Sequence, residues 1–437
     1  MSLLAAEADK PDFRRGACPA LSAPMQTGDG LLSRISLGEP ISPAELATIC
    51  RLCEAHGNGV INISARGNLQ VRGLTTETAG KLEGDIRSLN LPLREGLAVE
   101  VPPLAGLDPA EIADPRPLAG AIRSGAQGLE GLAPKTTVVV DGSGRMRLSQ
   151  LLADIRLVAA RLDDKVGWQI LLGDTQAGSR VHGTFPAQQA VDEALSLLQR
   201  LTSLGPTSRG RDLVTDAMPP CAMMEDGFSS LGLTLLEGDE AAVGIGLPFG
   251  QTTAMQLAAL CTEAEMQHIR AVRPAFGHAL ILFGDRSACE TIQVFAGRCG
   301  FITKDTDPRG MIAACPGSPS CASAAIDTHR LAHLALEHLE DLLDGSFNLH
   351  VTGCAKGCAH PQATSLALCG SGSDISFIVG KASDPSFASI PAAESANALR
   401  SIAALVRKER LKDETSAACI ARLGREQLAL SLTSGRT

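Results

Sequence analysis

The chain has 437 residues, 44% of them hydrophobic and 20% charged, with a net charge of −9. Its length predicts roughly two to four domains with a sizeable core, and no apolar run reaches the length of a membrane-spanning helix. No Lys/Arg-rich run breaks the acidic background, and aromatics are only 3%, with no Tyr and one Trp, Trp168; charge and stacking therefore both argue against a nucleic-acid partner.

The N-terminus opens on a short apolar stretch followed by acids, which is not the pattern of a secretory signal. Thirteen cysteines, an odd count, argue with it against a disulfide framework and predict a cytoplasmic protein with reduced thiols. Arg14 and Arg15 fall in an extended arm and suit either the surface or a site.

In chain order, residues 12–100 predict a first small lobe. A strand at Arg34 leads through a Gly/Pro turn to a helix with an apolar Leu-Ala-x-x-Cys face, then to a strand over Val60–Ser64. Cys50 and Cys53 are a lone Cys-x2-Cys on that helix and read as core thiols. Residues 101–230 predict a first α/β domain, in which Lys135–Gly142 is a strand entering a Gly turn.

The pattern then returns about 211 residues later. Residues 231–300 carry a strand from Gly244, a Gly/Pro turn, a helix reaching Cys261 and a strand over Ala279–Phe283. Residues 301–437 predict a second α/β domain, with Asn348–Cys354 in the place of Lys135–Gly142 and amphipathic helices from Ala392 to Leu430. The expected fold is α+β, made of α/β units in the order A, B, A′, B′. The small lobes pair about a pseudo-twofold, the two α/β domains flank them, and a ligand cleft runs along the axis. Two unrelated α/β domains are the alternative.

Four late cysteines form two pairs. Cys315 and Cys321 bound Cys-Pro-Gly-Ser-Pro-Ser-Cys, and Cys354 and Cys358 lie in Thr-Gly-Cys-Ala-Lys-Gly-Cys-Ala-His-Pro. Four thiolates from two loops suit a [4Fe–4S] cluster, one sulfur per iron. The Gly and Pro residues between them keep the backbone bent and leave room for a bulky core. Ordinary buried thiols and zinc are the bland alternatives, and the wider gap fits zinc poorly. His329 and His333, four apart on a helix, suit a solvated face better than a metal. His360, two residues after Cys358, is better placed to support the cluster from behind.

Further segments carry a resemblance. Ala65-Arg-Gly-Asn-Leu-Gln-Val-Arg-Gly73 is similar to the sulfite/nitrite reductase segment Asn-Arg-Gln-x-x-Gln-x-His-Gly, and Leu132–Val140 resembles that superfamily's lysine-bearing strand. The double cysteine spacing matches its cluster signature. Within the superfamily, Pro103–Pro109, Asp114–Leu118 and Ala314–Ser323 resemble the precorrin-3B synthase family of the aerobic cobalamin pathway. The departures agree with that branch. Thr136 and Thr137 directly follow the one lysine, Lys135, and Asn62 stands where sulfite reductases often carry an arginine. The anion pocket is thus depleted.

The resemblance implies a sulfite/nitrite reductase-like fold with ferredoxin-like lobes. It implies oxygen-dependent hydroxylation of precorrin-3A at C20 with γ-lactone formation, a [4Fe–4S] cluster held by Cys315, Cys321, Cys354 and Cys358, and an association with a mononuclear non-haem iron. No 2-His-1-carboxylate pattern for that iron is apparent. A flat substrate fringed with carboxylates asks for guanidinium forks. The candidates are Arg34, Arg66, Arg72, Arg270 and Arg273, with Gln70 and Lys135; Arg34 and Arg270 are expected at matching places in the two repeats. No catalytic residue is assigned. No Gly-rich dinucleotide fingerprint follows a strand, so electrons would come from a separate NAD(P)H-linked reductase or a ferredoxin. The competing enzyme is a siroheme-dependent sulfite or nitrite reductase. A non-catalytic iron–sulfur sensor or tetrapyrrole carrier is disfavoured, because no output module is visible and a carrier has no need of a cluster.

Overall fold

Ser42 and Thr253 begin two helices by the same device. The Ser42 hydroxyl accepts from the Glu45 amide, and the Glu45 carboxylate accepts from the Ser42 amide at 2.7 Å. Thr253 and Gln256 repeat this reciprocal pair. Each box satisfies two helix-terminal donors and fixes where the helix starts.

The computed structural model describes residues 19–163, 165–222, 229–360 and 362–433. Arg14 and Arg15 lie outside the described residues. The first lobe contains β1 (Met25–Thr27), β2 (Gly30–Ile35), α1 (Pro43–His56), β3 (Val60–Ile63), β4 (Leu69–Leu74) and α2 (Thr76–Ser88). There follow β5 (Ala98–Glu100), α3 (Arg116–Gly125), β6 (Thr137–Asp141), β7 (Ile155–Leu162), β8 (Lys165–Leu172), β9 (Arg180–Phe185) and α4 (Ala187–Leu204). The second lobe contains β10 (Gly232–Leu235), β11 (Glu240–Gly246), β12 (Gln251–Thr253), α5 (Ala254–Met266), β13 (Ala271–Ala275), β14 (Ala279–Asp285) and α6 (Arg286–Arg298). The chain closes with β15 (Ile312–Ala314), α7 (Thr328–Leu339), β16 (Leu349–Thr352), β17 (Thr364–Ser371), β18 (Asp374–Gly380), β19 (Ala388–Pro391), α8 (Ser395–Glu409) and α9 (Ser416–Thr433).

The strand orders show the duplication in full. The lobes run β1-β2-β4-β3 and β10-β11-β14-β13, and the larger sheets run β5-β6-β7-β8-β9 and β15-β16-β17-β18-β19. In each larger sheet the first three strands are parallel and the last two turn back antiparallel. The fold is α+β, two paired lobes with two larger mixed sheets.

One detail of the expected repeat changes. The counterpart of β3 is β13, whereas Ala279–Phe283 lies in β14 and answers to β4. Arg34 is on β2 and Arg270 immediately precedes β13, so these two arginines do not occupy matching places. β14 is the longer apolar run, whereas β13 is interrupted by Arg273 and Pro274, so the sequence pattern points to β14 alone.

The lobes exchange strands. β12 leaves its own lobe and pairs with β3, with Thr252 opposite Ile61. Ile41 makes the reciprocal move and pairs with Val272 of β13, through bonds of 2.9 and 2.7 Å. A single apolar core fills the space between, with Leu46, Ile49 and Cys50 of α1 beside Leu257, Leu260 and Cys261 of α5. Among the described residues no helix is long and apolar enough to cross a membrane.

Candidate functional site

β15 and β16 are neighbouring parallel strands, so their loops leave the same carboxyl edge of the sheet, the usual place for a site in an open parallel sheet. The first loop carries Cys315 and Cys321, the second Cys354 and Cys358. The amide of Gly353 points at the Cys315 sulfur across 3.2 Å. That position requires glycine, since a Cβ there would lie 2.4 Å from the Cβ of Ala324. The Thr328 hydroxyl donates to the Cys315 carbonyl at 2.5 Å, and the Thr352 hydroxyl donates to the Cys354 carbonyl at 2.9 Å. Both loops are thereby tied to regular elements.

The other three cysteines bear on the Cys358 thiol. Burial first, then the neighbouring Cys354, Cys315 and Cys321, push the Cys358 thiol above its ordinary range. Clustered thiolates repel, and iron cations among them would relieve that repulsion. Cys315 is buried and Cys358 exposed, so the group reaches from the sheet edge to the surface. This donor set fits a [4Fe–4S] cluster. Among the described residues no group of three or more His, Cys, Asp or Glu, these four thiols included, already stands close enough together to surround one metal ion.

The histidines have other contacts. His329 and His333 set their rings edge-on to Phe249, with centroids 5.6 and 5.0 Å away, which is a packing arrangement. His360 lies T-shaped against His350, centroids 5.8 Å apart. His350 is fully buried, and neither ring nitrogen has a hydrogen-bond partner among the described residues. Burial, then His360, lowers its pKa to about 4.

The sheet of the first lobe offers a polar face. Ile35, Ile61, Ile63, Leu69 and Val71 enter the core under the helices. Strand alternation turns Arg34, Gln70 and Asn62 to the other side, and they form one cross-strand row, Arg34 opposite Gln70 and Gln70 opposite Asn62. The Asn62 amide donates to the Gly250 carbonyl at 3.2 Å. Arg66 sits in the β3–β4 turn and donates to the Thr137 hydroxyl at 2.6 Å and to the Leu152 carbonyl at 3.5 Å. Lys135 is two residues before Thr137, exposed, with a left-handed φ of 69°. The turn and the start of β6 thus bring Arg66 and Lys135 to one rim. Gly67, where the superfamily segment has Gln, has φ 71° and passes so near Ala275 that a Cβ would lie 2.8 Å from its carbonyl carbon.

The remaining candidates fall elsewhere. Arg72 is buried and gives its fork to Asp29. Arg270 pairs with Glu240. Together with Arg273 it lines a separate cavity of about 500 Å³, beside Pro103, Ala105, Gly106 and Leu107; Arg34, Arg66, Gln70, Arg72 and Lys135 do not line it. Burial depresses the pKa of Arg273. Sequence reasoning passed over Asp29 and the Thr137 hydroxyl. Asp29 carried only a turn signal, between two glycines.

The loops after β5 and β6, at the equivalent edge of the other large sheet, contain no cysteine. There Asp108 pairs with Arg145 at 2.8 Å, and Asp141 accepts from the amides of Ser143 and Leu148 at 2.8 and 3.1 Å. Glu111 accepts from the Gly106 amide at 2.8 Å. Burial, together with Asp114, Asp108 and Asp141, raises its pKa to about 7 despite that bond.

Comparison with known proteins agrees with this architecture. Residues 24–89 match the nitrite/sulfite reductase ferredoxin-like half domain. A precorrin-3B synthase from Sinorhizobium sp. is 37% identical over 97% of this chain and 95% of its own length. A ferredoxin–nitrite reductase from Leptolyngbya laminosa is 20% identical over 76% of this chain and 74% of its own. The solved structure of the Mycobacterium tuberculosis NirA protein superposes with a TM-score of 0.71 at 15% identity, covering 91% of this chain and 84% of that one.

Proposed function

The chain belongs to the precorrin-3B synthase family, an enzyme family of the sulfite/nitrite reductase superfamily, and from that premise we propose that it hydroxylates precorrin-3A at C20 with dioxygen. One oxygen atom stays in the product, where the ring-A acetate closes as a γ-lactone. The other leaves as water, with two electrons and two protons. The observation that carries this reading is the likeness to a precorrin-3B synthase along nearly the whole chain.

Cys315, Cys321, Cys354 and Cys358 would hold a [4Fe–4S] cluster, which passes electrons one at a time. Those electrons would come from a separate NAD(P)H-linked reductase or a ferredoxin. Arg34 and Gln70 would lie against the face of the flat substrate, and Arg66 and Lys135 would pair with its peripheral carboxylates. No residue is assigned to a mononuclear iron in this scheme.

The test uses protein purified without oxygen. It should carry cluster absorption without haem bands. Given precorrin-3A, a donor and dioxygen labelled with heavy oxygen, it should yield a product heavier by one labelled oxygen atom. Stoichiometric siroheme together with sulfite or nitrite reduction would establish the reductase reading instead.

A further inference from the structure

We propose that Arg72 and Asp29 form a clamp that positions the loop between Cys315 and Cys321, so that Arg72 serves the cluster and not the substrate. This rests on the reading that those cysteines hold a cluster. The Arg72 side chain is 4% exposed and that of Asp29 12%. Nε of Arg72 donates to Asp29 Oδ2 at 3.0 Å, and Nη2 donates to Oδ1 at 2.8 Å. Nη2 also reaches the Ser320 carbonyl at 2.7 Å.

Ser320 immediately precedes Cys321. Its carbonyl takes a second bond, from the Gly28 amide at 3.1 Å. Both lone pairs of that oxygen therefore face the first lobe. The approach is close: a Cβ on Gly28 would lie 2.3 Å from the Pro319 carbonyl oxygen and 2.8 Å from the Ala322 nitrogen. Asp29 is held in turn by the Thr27 hydroxyl at 2.8 Å and the Asn58 amide at 3.3 Å.

These bonds join three pieces. β4 supplies Arg72, the β1–β2 hairpin supplies Gly28 and Asp29, and the cysteine loop supplies Ser320. Gln70 lies two residues before Arg72 on β4, and Arg72 falls at the irregularity in that strand's pairing with β2, between Val71 and Leu74. The clamp thus fixes the spacing between the polar substrate face and Cys321. A planar guanidinium fork is suited to this task, whereas an ammonium is a point donor that cannot bridge a carboxylate and a carbonyl in one plane.

The experiment compares wild type with Arg72→Lys and Asp29→Asn, all purified without oxygen. Four quantities are read: iron release to a chelator, the electron paramagnetic resonance of the reduced protein, hydrogen exchange at residues 316–322, and affinity for precorrin-3A. Both variants should release iron at least tenfold faster, shift the resonance and exchange faster in that loop. In molecules that keep their iron, affinity should stay within twofold of wild type. Unchanged iron release, resonance and exchange would overturn the clamp, and a tenfold loss of affinity alongside them would make Arg72 a substrate ligand. The cluster reading is judged separately, by iron and sulfide in wild type. If they are absent, loop exchange still decides whether the clamp exists.

Discussion

Cys50 and Cys261 meet thiol to thiol where α1 packs on α5. They occupy equivalent places in the two halves, about 211 residues apart, and both are buried. Contact with Cys261, then burial, holds the Cys50 thiol well above its ordinary range. Cys53 is also buried and turns its sulfur to the Val60 carbonyl at 3.4 Å. These are core groups, and they separate cleanly from the four thiols at the sheet edge.

That separation gives a direct comparison. Serine at Cys315, Cys321, Cys354 or Cys358 should remove most of the iron and sulfide, and activity with them. Serine at Cys50, Cys53 or Cys419 should leave the iron in place. Full iron content in all four edge variants would end the cluster assignment.

Arg66 tests the substrate face. Its removal should cost about 1.5–3 kcal/mol through the loss of a charge-assisted pair to a carboxylate. Affinity for precorrin-3A should then fall roughly ten- to a hundredfold, with iron content intact. Titration of Arg66→Ala with substrate checks this, and wild-type affinity in a folded, iron-replete variant would remove Arg66 from the site.

Glu111 predicts a pH effect on stability. Its folded pKa is raised from 4.5 to about 7, so the folded state holds the proton more tightly than the unfolded one. Its contribution to stability is fully present below pH 4.5 and is lost as pH rises through 7. Glu111→Gln should therefore gain stability over wild type on going from pH 5 to pH 8. Urea midpoints at the two pH values measure it. A difference that does not grow with pH refutes the assignment.

The strand exchange predicts a stability effect far from any thiol. Proline at Ile41 deletes the amide that meets the Val272 carbonyl at 2.9 Å. Leaving that buried acceptor without its partner should cost about 1–3 kcal/mol. Urea denaturation of Ile41→Pro should show an earlier midpoint. No shift would mean the inter-lobe bridge contributes nothing to stability.

Much of this was legible in the residues, for identifiable reasons. The cysteine pairs announce themselves because ligand spacing is local. The duplication shows because a strand, a Gly/Pro turn and an apolar helix face ending in Cys50 and Cys261 recur about 211 residues apart. What stayed hidden depends on distant partners. Arg72 has the residue type of a substrate ligand, and only the fold brings Asp29 and Ser320 to it. Arg270 reads like Arg34 until the register shows that one sits on β2 and the other ahead of β13. β12 belongs to the second lobe by order and to the first by hydrogen bonding, a choice made by tertiary pairing and invisible to periodicity.

That exchange has a bearing on symmetry. Thr252 on β3 and Ile41 on β13 are reciprocal contacts, the pattern two identical subunits make across a twofold axis. Here both halves belong to one chain, so the symmetry of the backbone sets no matching condition on the side chains. One half carries Cys315, Cys321, Cys354 and Cys358 at its sheet edge, and the other carries Asp108, Arg145 and Asp141 at the equivalent edge. A single chain is what lets a symmetric scaffold present two chemically different edges.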